Sequence, residues 1–95
     1  MLHGEYKTPG GKLVQVDFEL AGDRLTNVRV TGDFFLEPPE ALDTIARALE
    51  GAPASLEEGE LAARITQALE AFDRVELLGF SAEAVARAVR RALAP

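Results

Sequence analysis

Cysteine and tryptophan are absent from this chain, histidine, methionine and tyrosine occur once each, and lysine occurs only at positions 7 and 12. Without thiols there are no disulfides, no thiolate metal sites and no cysteine nucleophile. A single histidine, His3 near the amino terminus, leaves no imidazole set for zinc. No stretch approaches the roughly eighteen apolar residues of a membrane-spanning helix, and no basic head followed by an apolar run marks a leader. The expectation is a soluble, untargeted, cytoplasmic protein with no membrane partner. A surplus of positive charge is also missing. The formal net charge is −6, which argues against nonspecific nucleic-acid binding, since that needs a basic face to displace counterions from phosphate.

The 95 residues suffice for one domain, 1–95, with its own core, but not for a full nucleotide-dependent enzyme with a substrate pocket. Acid is unevenly spread: residues 1–36 carry four basic and five acidic side chains, and 37–95 carry six and eleven. Leu2–Lys7 reads as a short edge strand whose position tolerates Gly4. Val14, Val16, Phe18 and Leu20 then alternate with Gln15, Asp17 and Glu19, the period of a half-buried strand. Ala21-Gly22-Asp23-Arg24 turns the chain into a third strand with Val28 and Val30 inward.

Helices follow. Glu37-Pro38-Pro39-Glu40 starts one by placing proline in the first turn, with Leu42, Ile45, Ala46 and Leu49 as its apolar stripe. Ser55-Leu56-Glu57-Glu58 has the pattern of a capping box, and Leu61, Ile65, Ala68, Leu69 and Phe72 mark a second buried face. Residues 74–80 read as a connector with Val75, Leu77, Leu78 and Phe80 tucked under the helices. Ser81 caps a third helix that buries Val85, Val89, Ala92 and Leu93. The fold class is therefore α+β: a three-stranded antiparallel sheet over 2–34, covered on one face by helices near 38–50, 57–73 and 81–93, with no strand beyond residue 60.

Few constellations carry chemistry. Pro9-Gly10-Gly11-Lys12 lacks the earlier glycine, the following Ser or Thr and the helix of a nucleotide-binding P-loop. Asp33 has no second carboxylate or histidine close in sequence, so it reads as a turn cap. Phe34-Phe35-Leu36 is apolar on both faces, with core packing favoured over a partner contact. The basic cluster Arg87, Arg90 and Arg91 suits the negative end of the last helix and is favoured there over a binding patch. Lys7 and Lys12 flank the proline-glycine-glycine turn. Either the turn simply reverses the chain and the lysines keep it solvated, or two flexible ammonium groups are placed there for a purpose.

Taken together, Gly4-Glu5-Tyr6-Lys7-Thr8-Pro9-Gly10-Gly11-Lys12-Leu13-Val14, Gly32-Asp33-Phe34-Phe35, Pro39-Glu40-Ala41-Leu42 and Leu78-Gly79-Phe80-Ser81 resemble the carboxy-terminal accessory domain of lipoate protein ligase, over essentially the whole chain. The resemblance implies a fold similar to sulfur-acceptor and iron-sulfur scaffold proteins, whose cysteine-based work this chain cannot do. It also implies a stand-alone accessory subunit with no catalytic or metal-ligating residue of its own. Such a subunit is needed with a separate catalytic subunit for ATP-dependent lipoate adenylation. The family's arginine-rich and triple-glycine lipoate-binding motif and its nucleotide-binding lysine segment are absent. No cofactor is expected on the chain alone; lipoate and ATP, with magnesium, enter through the catalytic partner. On this reading Lys7, Pro9, Gly10, Gly11, Lys12, Gly32, Asp33 and Phe34 face that partner. The alternative is a non-catalytic protein–protein interaction module of another assembly. An independent enzyme is the least supported class.

Overall fold

The computed structural model describes residues 1–33, 35–78 and 81–94. The alternating segments form β1 (Leu2–Lys7), β2 (Leu13–Ala21) and β3 (Arg24–Gly32), an antiparallel sheet in the order β1-β2-β3. Its inner face carries Val14, Val16 and Phe18, all fully buried, as the period-two pattern requires. Leu20, expected inward, is 43% exposed. The register explains it, because Leu2 lies opposite Phe18, so β1 ends there and Leu20 has a strand neighbour on one side only.

The third strand contains a bulge. Asp17 faces Arg29 but Glu19 faces Thr26, so Phe18 stands opposite two residues, Asn27 and Val28. Asn27 takes the extra step at φ 53°, a left-handed conformation that asparagine tolerates better than most residues. The insertion reverses the alternation. Val28 and Val30 turn inward on one side of it and Leu25 on the other.

Three helices cover the inner face: α1 (Glu40–Leu49), α2 (Glu58–Leu69) and α3 (Ala82–Leu93). Helix α1 begins later than the proline rule suggested. Pro38 and Pro39 precede it, and their carbonyls accept from the amides of Ala41 and Leu42 at 3.0 and 3.1 Å. Helix α2 starts at Glu58, and the box sits two residues beyond the expected serine: the Glu60 carboxylate accepts from the Glu57 amide at 3.1 Å. The helix stops at Leu69, leaving Phe72 beyond its end and half-buried. Ser81 caps α3 as expected, its Oγ accepting from the Ala84 amide at 3.1 Å. Ile45, Leu49, Leu61, Ile65, Val85 and Val89 from these helices meet the sheet's valines and Phe18 in one core.

The expectation of no strand beyond residue 60 is wrong. Within the supposed connector, β5 (Glu76–Leu78) pairs antiparallel with β4 (Phe35–Glu37), and the two form a second, two-stranded sheet. Three residues are too few to show a period, and the partner lies some forty positions earlier. Leu36 is nonetheless buried, and backbone amides and carbonyls beside a buried residue need partners. Phe80, expected under the helices, and Gly79 lie outside the described residues.

Candidate functional site

The turn between β1 and β2 follows from its residue types. The Gly11 amide donates to the Thr8 carbonyl at 2.7 Å, and Gly10 has φ 74°. Proline at the second position and a positive φ at the third make a type II turn. A Cβ built on Gly10 would meet nothing within 4 Å, so the backbone angle, not crowding, demands glycine there. The tip projects into open space.

Lys7 lies opposite Leu13 in the ladder, and both Lys7 and Lys12 are exposed. On the far side of β2, Gly32 pairs with Val14, and the Asp33 amide donates to the Leu13 carbonyl at 3.3 Å. The structure thus gathers Lys7, Pro9, Gly10, Gly11, Lys12, Gly32 and Asp33 at one end of the large sheet. Phe34 lies outside the described residues. Thr8 Oγ1 is shielded from solvent and has no hydrogen-bond partner among the described residues.

The two lysines differ from most of the arginines. Arg24, Arg47, Arg64, Arg90 and Arg91 each donate to a backbone carbonyl, and Arg87 pairs with Glu58. Among the described residues neither Lys7 nor Lys12 makes a side-chain hydrogen bond or ion pair. Their ammonium groups remain available to another molecule.

The base of the turn is anchored in a way the spacing did not show. The ring of Tyr6 has the guanidinium carbons of Arg87 and Arg91 at 4.9 and 5.0 Å from its centroid, within cation–π range. Arg87 also donates to Tyr6 Oη at 3.3 Å and forms a two-pronged pair with Glu58, at 3.0 and 3.2 Å. This pairing and the Tyr6 contact hold its pKa above the ordinary arginine value. Arg91 donates to the Glu5 carbonyl at 3.2 Å, and Arg90 to those of Ala54 and Leu56 at 2.7 and 3.1 Å. The cluster that suited the helix dipole therefore also ties α3 to β1, to α2 and to the loop before α2. The sequence signal for this, one aromatic next to a lysine and arginines four apart on a distant helix, has no meaning until the topology brings them together.

Gly4 marks a second anchor. A Cβ there would stand 2.0 Å from the Ala88 carbonyl oxygen and 2.9 Å from the Ala92 Cβ, so β1 and α3 approach almost backbone to backbone. Close approach to α3, rather than an edge position, is what requires glycine. Among the described residues no three histidine, aspartate or glutamate side chains converge where a metal ion could be held, and no helix is long and apolar enough to cross a membrane.

No protein-family model and no curated protein matches the chain. Its fold is similar to that of a chain in the solved structure of an archaeal lipoylation system, a bipartite lipoate protein ligase and its E2 lipoyl domain from Thermoplasma acidophilum. The TM-score is 0.73 at 21% identity, over 95% of this chain and 96% of that one. The three-stranded sheet with its three helices is therefore a fold shared, nearly end to end, with a component of a lipoylation system.

Proposed function

We propose that this protein is the accessory subunit of a two-component lipoate protein ligase, acting with a separate catalytic subunit in ATP-dependent lipoate adenylation. The observation that carries the reading is the end-to-end likeness of fold to a chain of a bipartite ligase system. That chain is about as long as this one, so it too is a small component of its assembly. The residues quoted above for their resemblance to the ligase accessory domain agree with it.

In this reading the turn end of the sheet meets the catalytic subunit. Adenylation brings the lipoate carboxylate to the α-phosphate of ATP and expels pyrophosphate, so negative charge concentrates at the reacting centre. Preplaced cations and exclusion of water stabilise it. Lys7 and Lys12 are exposed and without internal partners among the described residues, and Gly10 keeps the tip slim enough to enter a cleft. Tyr6, held by Arg87 and Arg91, fixes the strand from which Lys7 projects. No described cluster fits a magnesium ion; magnesium, like ATP and lipoate, would be held by the catalytic subunit.

Changing both Lys7 and Lys12 to Ala tests the reading. The variant should fold and still associate with the catalytic subunit. Lipoate-dependent pyrophosphate exchange should be lost, whereas transfer from preformed lipoyl-adenylate to the acceptor domain persists. Unimpaired exchange by an associated pair would remove the lysines from the mechanism. Failure of the unaltered protein to associate with, or activate, any catalytic subunit would instead favour an interaction module of another assembly.

A further inference from the structure

The outer face of the large sheet carries a cluster unrelated to the turn. His3 Nδ1 lies 2.7 Å from Asp17 Oδ1, and His3 Nε2 lies 2.9 Å from Glu5 Oε2. Asp17 is the direct cross-strand partner of His3, and Glu5 stands two residues along the same strand, on the same face. Both neighbours are carboxylates, which only accept when ionised. Both ring nitrogens must then donate, and only the imidazolium has two N–H groups. The geometry itself therefore specifies the charged ring.

We propose that His3, Glu5 and Asp17 form a proton-operated clamp across β1 and β2: the imidazolium locks both carboxylates, and loss of its proton releases one of them. Neutral imidazole keeps a single N–H, so one of the two contacts becomes a lone pair facing a carboxylate. The other charged groups on this face include Lys7, two residues beyond Glu5 on β1, Arg29, paired in register with Asp17, Glu19, and Arg24 at the far end of β3. Asp17, Glu19 and Arg29 also border a concavity of about 490 Å³ with Asn27 and with Met1, the residue that carries the amino terminus, so the proton on His3 alters the charge balance of that hollow. This is the one histidine of a chain without cysteine, and its ordinary pKa lies near neutrality.

The sign of the effect follows from the contacts. Hydrogen bonds to Glu5 and then Asp17 raise the His3 pKa above 6.5. A raised folded-state value means that the clamp contributes its full stability below 6.5 and loses it as pH climbs through the folded value. The ring is well exposed, so solvent screens the interaction and the contribution to overall stability is modest.

The test pairs a spectroscopic with a thermodynamic measurement on the full chain. NMR titration of the His3 ring should give a midpoint above 6.5, and Glu5→Gln and Asp17→Asn should each lower it. Urea denaturation midpoints of the wild type and His3→Gln are compared from about pH 5.5, above the ordinary carboxylate range, to about pH 9. The wild type should lead at the acid end, and its lead should vanish across the ring titration. A wild-type midpoint at or below 6.5, or variants that leave it unmoved, would overturn the clamp. So would identical pH profiles for the wild type and His3→Gln.

Discussion

Two glycines make opposite demands on their neighbours. At Gly4 a methyl group would run into the Ala88 carbonyl, whereas at Gly59, inside α2, it would meet nothing within 4 Å. Gly4→Ala should destabilise at or beyond the upper end of the ~1–3 kcal/mol usual for overpacking. Gly59→Ala, in the first turn of α2, should stabilise by less than the ~0.5–1 kcal/mol of a helix interior. Chemical denaturation of the two variants should give midpoints on opposite sides of the wild type; the same sign for both would mean that β1 and α3 do not meet as described. Phe18→Ala, at a fully buried site, should cost about 3–5 kcal/mol. The sequence showed Phe18, because its alternation with Asp17 and Glu19 is local. It could not show why Gly4 is glycine, since the atom that excludes a side chain there belongs to residue 88.

At the scale of elements, the end of α1 and the bulge of β3 stabilise each other. The Glu50 carboxylate accepts from the amides of Asn27 and Val28 at 2.8 and 3.1 Å, filling the gap that the bulge opens in the ladder. Next to it, residues 51–54 run along β3: the Leu25 amide donates to the Ala52 carbonyl, the Gly51 amide to that of Leu25 and the Ala54 amide to that of Asp23. Glu50→Ala should therefore cost about 1 kcal/mol, a hydrogen-bond loss discounted for exposure. Amide exchange should rise most at Asn27 and Val28; a uniform rise along β3 would count against the bulge as the point of action. These features mark where sequence reading stopped. Helix stripes and strand alternation repeat within a few residues, and Val14, Val16, Phe18, Ile45 and Leu49 are buried as the pattern requires, whereas Leu20, Leu42 and Ala46 are less buried than it suggests. The bulge reverses the alternation between Leu25 and Val28 without any change in composition. The β4–β5 pair depends on a partner some forty residues away, and the box before α2 uses Glu57, a less favoured cap than the nearby Ser55.

Across the whole molecule, charge is divided by use. Most arginines are spent on carbonyls and on Glu58, the helical half is acidic, and the two lysines stand out at one end. Of the candidate site, the turn was legible because proline and glycine encode their own backbone angles. Its support by Tyr6, Arg87 and Arg91 was not, because it joins residues more than eighty positions apart. The purified chain alone should neither consume ATP nor lipoylate an acceptor, since no nucleotide-binding pattern is encoded. Lipoyl-adenylate formed by this chain, free of any ligase, would contradict the accessory reading. The contact between β1 and α3 has a bearing on biosynthesis as well. Strand β1 rests on a helix made some eighty residues after it, so Val14, Val16 and Phe18 keep one greasy side bare until residues 82–93 have cleared the exit tunnel. Native packing of this domain is thus deferred until α3 has emerged, and a nascent chain arrested before α3 should be protease-sensitive and bound by chaperones however long its sheet has been complete.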